Sequence, residues 1–171
     1  MAGHSTEIRV VEGRRFAAHP RSGLEIHFRY AILDKMDSVH VAYEEVYADA
    51  MGRPGFILQQ VVDGYAVQSA TPNSKAISVV FGLVGLYLHV EKHLSGLQAQ
   101  EIHMKLARRK RDWPRIDLPQ DRGEITVLDV LEAPAGPGRD TAIDNWCRSV
   151  WAAFSHNRST IISVLRKYEI T

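Results

Sequence analysis

Three histidines in the second half of the sequence have a spacing that suits a divalent metal. His89 and His93 are four residues apart at the end of an apolar run, so on a helix they would share one face. A turn at Ser95-Gly96 would bring His103 on the next helix level with His89. The three imidazoles would leave an open position for water, as catalytic zinc or iron sites require. In the alternative interpretation they are surface or helix-end side chains, with His93 stabilised by the carbonyl end of its helix.

Asp63 is a second candidate, because its carboxylate interrupts apolar residues within a predicted helix. Such a group needs either water or polar partners. If it is buried, its raised pKa would suit a general base, with Tyr65 as a second catalytic group. Gln59 and Gln68 on the same helix, and Tyr87 on the next, would then bind an organic small molecule. If Asp63 faces solvent, it is only part of a polar stripe.

Charge and composition argue against some partners. The 21 basic and 20 acidic residues leave a net charge of +1, so no global field attracts nucleic acid or anionic lipid. The basic run over residues 108–111 closes a predicted helix, where cations are stabilised by the carbonyl end. Only Trp113 lies nearby to stack on bases. We therefore expect neither a nucleic-acid nor a membrane partner, although a local patch could bind anions.

Cysteine usage and the N-terminus favour the cytoplasm. Cys147 is the only cysteine, which excludes an intramolecular disulfide and a thiolate metal cluster. It lies on an apolar helical stripe, where burial would make the thiol inert. The first residues lack the features of a signal peptide, and the most apolar stretch, residues 76–90, is short for a membrane span.

These residues are positioned by a predicted all-α bundle of about six helices. Apolar residues recur at three- and four-residue steps, and Gly52, Pro54, Ser74 and Ser159 are typical helix-terminal residues. The run from residue 74 to residue 94 has almost no polar face, which predicts a central helix. The predicted helices cover residues 32–51, 54–70, 74–94, 97–111, 143–154 and 159 onward, with a short helix over 126–133.

The first thirty residues differ from the rest. Polar and apolar residues alternate over residues 25–30, as in a half-buried strand, and Ile8 with Val10 suggests a partner segment. We expect an N-terminal arm or short β-hairpin over residues 1–30 and a helical bundle domain over residues 31–171. The strand would leave an edge able to pair across a homodimer.

Three stretches together resemble a family of uncharacterised bacterial proteins with a Val-Asp-x-Tyr-x-x-Gln motif. They are residues 62–68, residues 83–88 with Glu91, and Trp113-Pro114 leading to residues 121–130. The resemblance spans roughly residues 32–168 and implies no established reaction.

Typical members of that family carry an N-terminal Cys-x-x-Cys, a histidine five residues before the motif aspartate, and a histidine after the glutamine. Here Leu58 and Ser69 occupy the histidine positions, and no N-terminal cysteine exists. The resemblance implies that this chain has lost a metal site and kept Asp63, Tyr65 and Gln68 as its polar set. The pair His89 and His93 is also similar to DinB-type metal-dependent bundles, for which His40 would be the third histidine.

The sequence leaves three functions open. The first is binding of an organic small molecule between helices two and three, with proton-transfer catalysis as an extension. The second is a divalent-metal-dependent enzyme that uses His89, His93 and His103. The third is a non-catalytic interaction module that dimerises through the N-terminal arm.

Overall fold

A computed structural model describes residues 8–11, 14–17, 35–109 and 112–170. The chain divides into two compact units, residues 1–41 and residues 42–171. In the first unit, β1 (Ile8–Val11) pairs antiparallel with β2 (Arg14–Ala17), with Ile8 opposite Ala17. The predicted strand over residues 25–30 and most of the predicted arm lie outside the described residues. The domain boundary at residue 30 and dimerisation through the arm therefore stay predictions.

The expected helical bundle is confirmed, with seven α-helices in the described part of the chain instead of about six. Short 3-10 turns at Pro54–Phe56 and Ser155–Asn157 precede two of them. The helices are α1 (Lys35–Ala50), α2 (Leu58–Gln68), α3 (Ala76–Val90), α4 (Gly96–Ala107), α5 (Val127–Glu132), α6 (Pro137–Ala153) and α7 (Arg158–Lys167).

The start of α2 differs from the prediction. Pro54 begins a 3-10 turn, and the helix itself starts at Leu58. The reason is local backbone conformation, because Gly55 and Phe56 both adopt positive φ angles, of 73° and 57°, which a right-handed helix cannot accommodate. The break turns the chain so that the Phe56 carbonyl packs against Gly96 at the start of α4, where a Cβ would lie 1.9 Å from that oxygen.

The central helix is α3, as its apolar sequence predicts. It packs against α2, α4, α6 and α7, and residues 82–88 are all buried. The helix ends at Val90, four residues earlier than expected, and the Leu94 N–H bonds back to the Leu88 carbonyl over 3.0 Å. Despite this apolar character, no helix in the described ranges has both the length and the hydropathy needed to cross a bilayer.

The predicted amphipathic stripe of α6 is confirmed, since Ile143, Trp146, Cys147 and Val150 are fully buried. The helix starts at Pro137, earlier than the stripe indicates, because Arg139 anchors its first turn. That buried guanidinium donates to the Leu131 and Ala133 carbonyls at the end of α5, over 3.2 and 3.0 Å. These orphan carbonyls would otherwise lack partners.

Candidate functional site

Asp63 lies at the closest approach of α2 and α3. Its side chain is directed at Gly85, and the residue is only 4% exposed. A Cβ on Gly85 would lie 1.8 Å from Oδ2 of Asp63, so the carboxyl group occupies the space that any side chain would need. Gly82 makes a similar contact, because a Cβ there would lie 2.7 Å from Cγ2 of Val67. Both glycines therefore lie where the two helices approach closely.

Gln59 joins Asp63 to His103 on α4. Its amide Nε2 donates to Oδ1 of Asp63 over 3.0 Å and lies 3.2 Å from Nδ1 of His103. The direct distance from Oδ1 to Nδ1 is 4.0 Å, so the amide bridges the two groups. Because Gln59 is the donor to Nδ1, the neutral imidazole carries its proton on Nε2. We name this set of Gln59, Asp63 and His103 the buried polar triad, in which Asp63 and His103 are buried and Gln59 is partly buried.

Burial keeps both titratable members of the triad neutral. Loss of solvent raises the pKa of the Asp63 carboxyl well above its usual value, and the hydrogen bond from Gln59 only partly opposes this. Burial lowers the pKa of His103 to about 4, and a hydrogen-bonding interaction with the Phe81 backbone acts in the opposite direction. Protonated Asp63 and neutral His103 are therefore the forms that the site favours.

One nitrogen of the triad lacks a well-formed hydrogen bond in the part of the chain that the structure describes, although the Phe81 backbone acts on its ring. Nε2 of His103 is buried and makes no hydrogen bond of acceptable geometry within the described residues. Nε of Arg53 and Oδ1 of Asp140 are also buried without a hydrogen bond in the described residues. These two residues nevertheless form an ion pair, in which Nη2 of Arg53 lies 2.8 Å from Oδ2 of Asp140. The imidazole ring packs against Phe81, with ring centroids 5.2 Å apart. Nε2 of His103 is therefore a polar atom in a partly aromatic environment.

Tyr65 is not part of this group. It lies two residues beyond Asp63, on the opposite side of α2. Its ring stacks on Tyr43 of α1, with centroids 3.9 Å apart and planes 13° apart. Burial raises the pKa of the Tyr65 hydroxyl, and Glu44 adds to that shift. The structure therefore does not bring the two predicted catalytic residues together.

Gln68 serves a different set of contacts. Its Nε2 donates to the Ile125 carbonyl over 2.7 Å, and its Oε1 accepts from Nε1 of Trp146 over 2.8 Å. The Gln68 side chain therefore links the segment before α5 to Trp146 in the core. Tyr87 packs near Trp151, with centroids 5.9 Å apart. Within the described residues, no hydrogen bond or ring contact joins Gln68 or Tyr87 to the buried polar triad.

The three predicted metal ligands also lie apart. His93 is exposed and follows the end of α3, with a φ of 56°, so the helical face expected to join it to His89 does not form. Nε2 of His89 instead contacts Oδ1 of Asp144 over 2.8 Å, while Nδ1 contacts Gln60. No group of three or more histidine, cysteine or acidic side chains in the described ranges could hold a metal ion.

The contact between His89 and Asp144 belongs to a second polar network. Although burial alone would raise the pKa of Asp144, hydrogen bonds from Arg148 and His89 lower it overall. Sequence patterns did not indicate Asp144 or Gln60 as partners, because the network joins three helices. Cys147 lies beside this network. Burial raises the pKa of its thiol above the usual value, in line with the prediction of an inert cysteine.

The two positions where the family resemblance would place histidines are far apart. Leu58 begins α2 and Ser69 follows its last residue. Eleven residues of helix separate positions by roughly 16 Å along the axis. Side chains at these two positions could not bind the same metal ion.

Comparison with known proteins identifies a family for this chain. No curated protein and no solved structure is significantly similar to this chain. A family model does match residues 39–155, which include the whole buried polar triad and the helices that carry it. The chain therefore belongs to DUF5946, a family of unknown function.

Proposed function

We propose that this protein binds a small organic molecule through a carbonyl or carboxylate oxygen, which accepts a hydrogen bond from Nε2 of His103. The observation that carries the proposal is that this buried nitrogen has no hydrogen bond of good geometry among the described residues, since the Phe81 backbone interacts with the ring only outside those limits. Leaving a buried donor unsatisfied costs about 1–3 kcal/mol, and such groups are rare in folded proteins. An oxygen acceptor supplied by a ligand would remove that cost.

The surroundings of His103 suit an organic ligand. Phe81 packs on the imidazole, and the Trp113 ring meets Phe81 edge-on with centroids 5.2 Å apart. Both aromatic residues are only partly buried, so this side of the triad is nearer to solvent than Asp63. Apolar rings around one fixed polar group are typical of small-molecule sites.

In this proposal His103 is the contact residue and Asp63 is a positioning residue. The Asp63 carboxyl is enclosed by Gly85 and Gln59, which leaves it no surface for a ligand. Its role is to hold Gln59, which fixes the imidazole tautomer. A neutral imidazole that donates to a carbonyl oxygen stabilises negative charge developing there, so proton transfer next to that carbonyl is the catalytic extension that we propose.

The test uses protein labelled with 15N-histidine and four probes: acetate, benzoate, acetamide and acetophenone. We expect at least one probe to shift the His103 Nε2 resonance saturably, and His103→Gln to abolish its binding. The matched control is His156→Gln, because the His156 side chain, although only 41% exposed, contacts Asp117 and Asn157, not the triad, and should not affect binding. Equal affinity of the wild type and His103→Gln would refute the proposal, as would absence of a His103 shift with every probe.

Asp63→Asn separates the two roles considered for Asp63. Asparagine keeps the oxygen that accepts from Gln59, so a positioning role predicts nearly unchanged probe affinity. Direct contact between the carboxyl group and a ligand predicts loss of binding in a variant that remains folded.

A further inference from the structure

A second site lies at the ends of α4 and α7. The last turn of α4, the two residues after it and the residues that follow α7 line an open cleft of about 380 Å³. This volume falls within the usual range for small-molecule pockets. The lining consists of Lys105, Arg108 and Arg109 on one side and Tyr168, Glu169 and Ile170 on the other.

The cleft is positively charged. Lys105, Arg108 and Arg109 are exposed, and no ion pair joins any of them to an acidic group in the described ranges. The Glu169 carboxylate and the carbonyl ends of two helices together contribute about two negative charges. Three cations outweigh these groups, so an anion in the cleft would be attracted.

The opposite wall has a fixed backbone. The Ile170 N–H donates to the Leu165 carbonyl over 3.1 Å, and the Glu169 N–H donates to the Arg166 carbonyl over 3.0 Å. These two bonds form a Schellman motif, in which Glu169 takes the left-handed position with a φ of 55°. Glycine is the usual residue there, yet this chain places a carboxylate at the rim of a basic cleft.

Aromatic and apolar surface completes the site. Tyr168 is half-buried, and the Trp113 ring supports it with centroids 6.0 Å apart. Ile170 adds an apolar contact beside the cations. A purely inorganic ion would not use this surface, whereas an organic group attached to the anion would pack against it.

From these features we infer that the cleft binds a small organic diphosphate. The three cations contact the phosphate oxygens, guanidinium groups being suited to bidentate phosphate contacts. Tyr168 and Ile170 contact the organic group, and Glu169 accepts a hydrogen bond from its hydroxyl or amino groups. This site is distinct from the His103 site, although the Trp113 ring contacts Phe81 beside one and Tyr168 in the other.

The test measures binding of inorganic pyrophosphate, ADP and adenosine by calorimetry at about 0.15 M salt. We expect ADP to bind more tightly than pyrophosphate and adenosine not to bind. ADP should also shift the backbone amide resonances of Tyr168 and Ile170. Arg108→Gln combined with Arg109→Gln should weaken ADP binding about tenfold or more, because two charge-assisted contacts are lost.

The control variant combines Lys75→Gln with Arg115→Gln, which removes the same charge from exposed positions outside the cleft. It should bind ADP within about twofold of the wild type. An equal loss in both double variants would overturn the inference, because it would indicate nonspecific attraction. So would absence of saturable ADP binding, or tighter binding of a single-stranded oligonucleotide, which would indicate a nucleic-acid surface. His103→Gln should leave ADP binding unchanged, so the two proposals fail separately.

Discussion

The carboxyl group of Asp63 occupies the volume that a side chain at Gly85 would fill. Oδ2 lies 1.8 Å from the position of a Cβ built on Gly85, and the carboxyl carbon lies 2.4 Å from it. A buried acid and a glycine are therefore matched across the α2–α3 contact. This relationship fixes how closely the two helices approach and keeps water away from Asp63.

Gly85→Ala should destabilise the protein by about 2–4 kcal/mol, because a methyl group must displace a buried carboxyl or separate two packed helices. Urea denaturation checks this. Gly138→Ala is the matched control, since a Cβ there meets its nearest neighbour at an ordinary 3.6 Å, and it should be neutral or slightly stabilising. In the double variant with Asp63→Ala, the cost should be less than the sum of the single costs. Strict additivity would contradict the proposed clash.

Asp63→Asn should reduce the loss of stability that the wild type shows as pH rises above about 4. The unfolded chain releases the Asp63 proton near the usual pKa of about 3.9. The folded chain retains it longer, because burial raises the pKa. Stability is therefore present below the unfolded pKa and is lost as pH rises toward the folded one. The free energy of unfolding of Asp63→Asn, relative to that of the wild type, should rise from pH 4 upward. A difference independent of pH would contradict this.

His103→Gln should remove part of the acid sensitivity of the protein. The unfolded chain binds a proton on this residue near pH 6.5, whereas the folded chain binds it only near pH 4. Stability contributed by the neutral imidazole is thus present above pH 6.5 and lost as pH falls through this window. The loss is at most roughly 3 kcal/mol. His156→Gln is the control for unfolding measurements across this range. If the free energy of unfolding of His103→Gln changed with pH as steeply as that of the wild type, the folded site would not be disfavouring protonation of His103.

Gln68→Ala should cost about 1–3 kcal/mol of stability, because it leaves the indole nitrogen of Trp146 buried without its acceptor. The substitution also removes the hydrogen bond from Gln68 to the Ile125 carbonyl. Hydrogen exchange should increase in the connector before α5. Loss of probe binding at unchanged stability would instead support the sequence-based expectation that Gln68 is a ligand contact.

The sequence alone determined the helical architecture, because apolar periodicity and helix-terminal residues are local signals. It identified α3 as the central helix from its lack of a polar face, and Cys147 as buried from its position on the α6 stripe. It also indicated Asp63, Gln59 and His103 as polar residues that could do chemistry. Local signals placed the helix ends less well, since the end of α3 depends on the conformation of residues 91–94.

Tertiary structure alone decided which of these residues meet. The sequence motif groups Asp63 with Tyr65 and Gln68. In the structure, Asp63 packs against Gly85 of α3, Tyr65 stacks on α1 and Gln68 bonds to Trp146. His103 contacts Gln59 and not His89. Two residues at the same distance from the turn between two helices can face different neighbouring helices. Side-chain partnership across helices depends on rotation and approach, and these are set by the packing of the whole core.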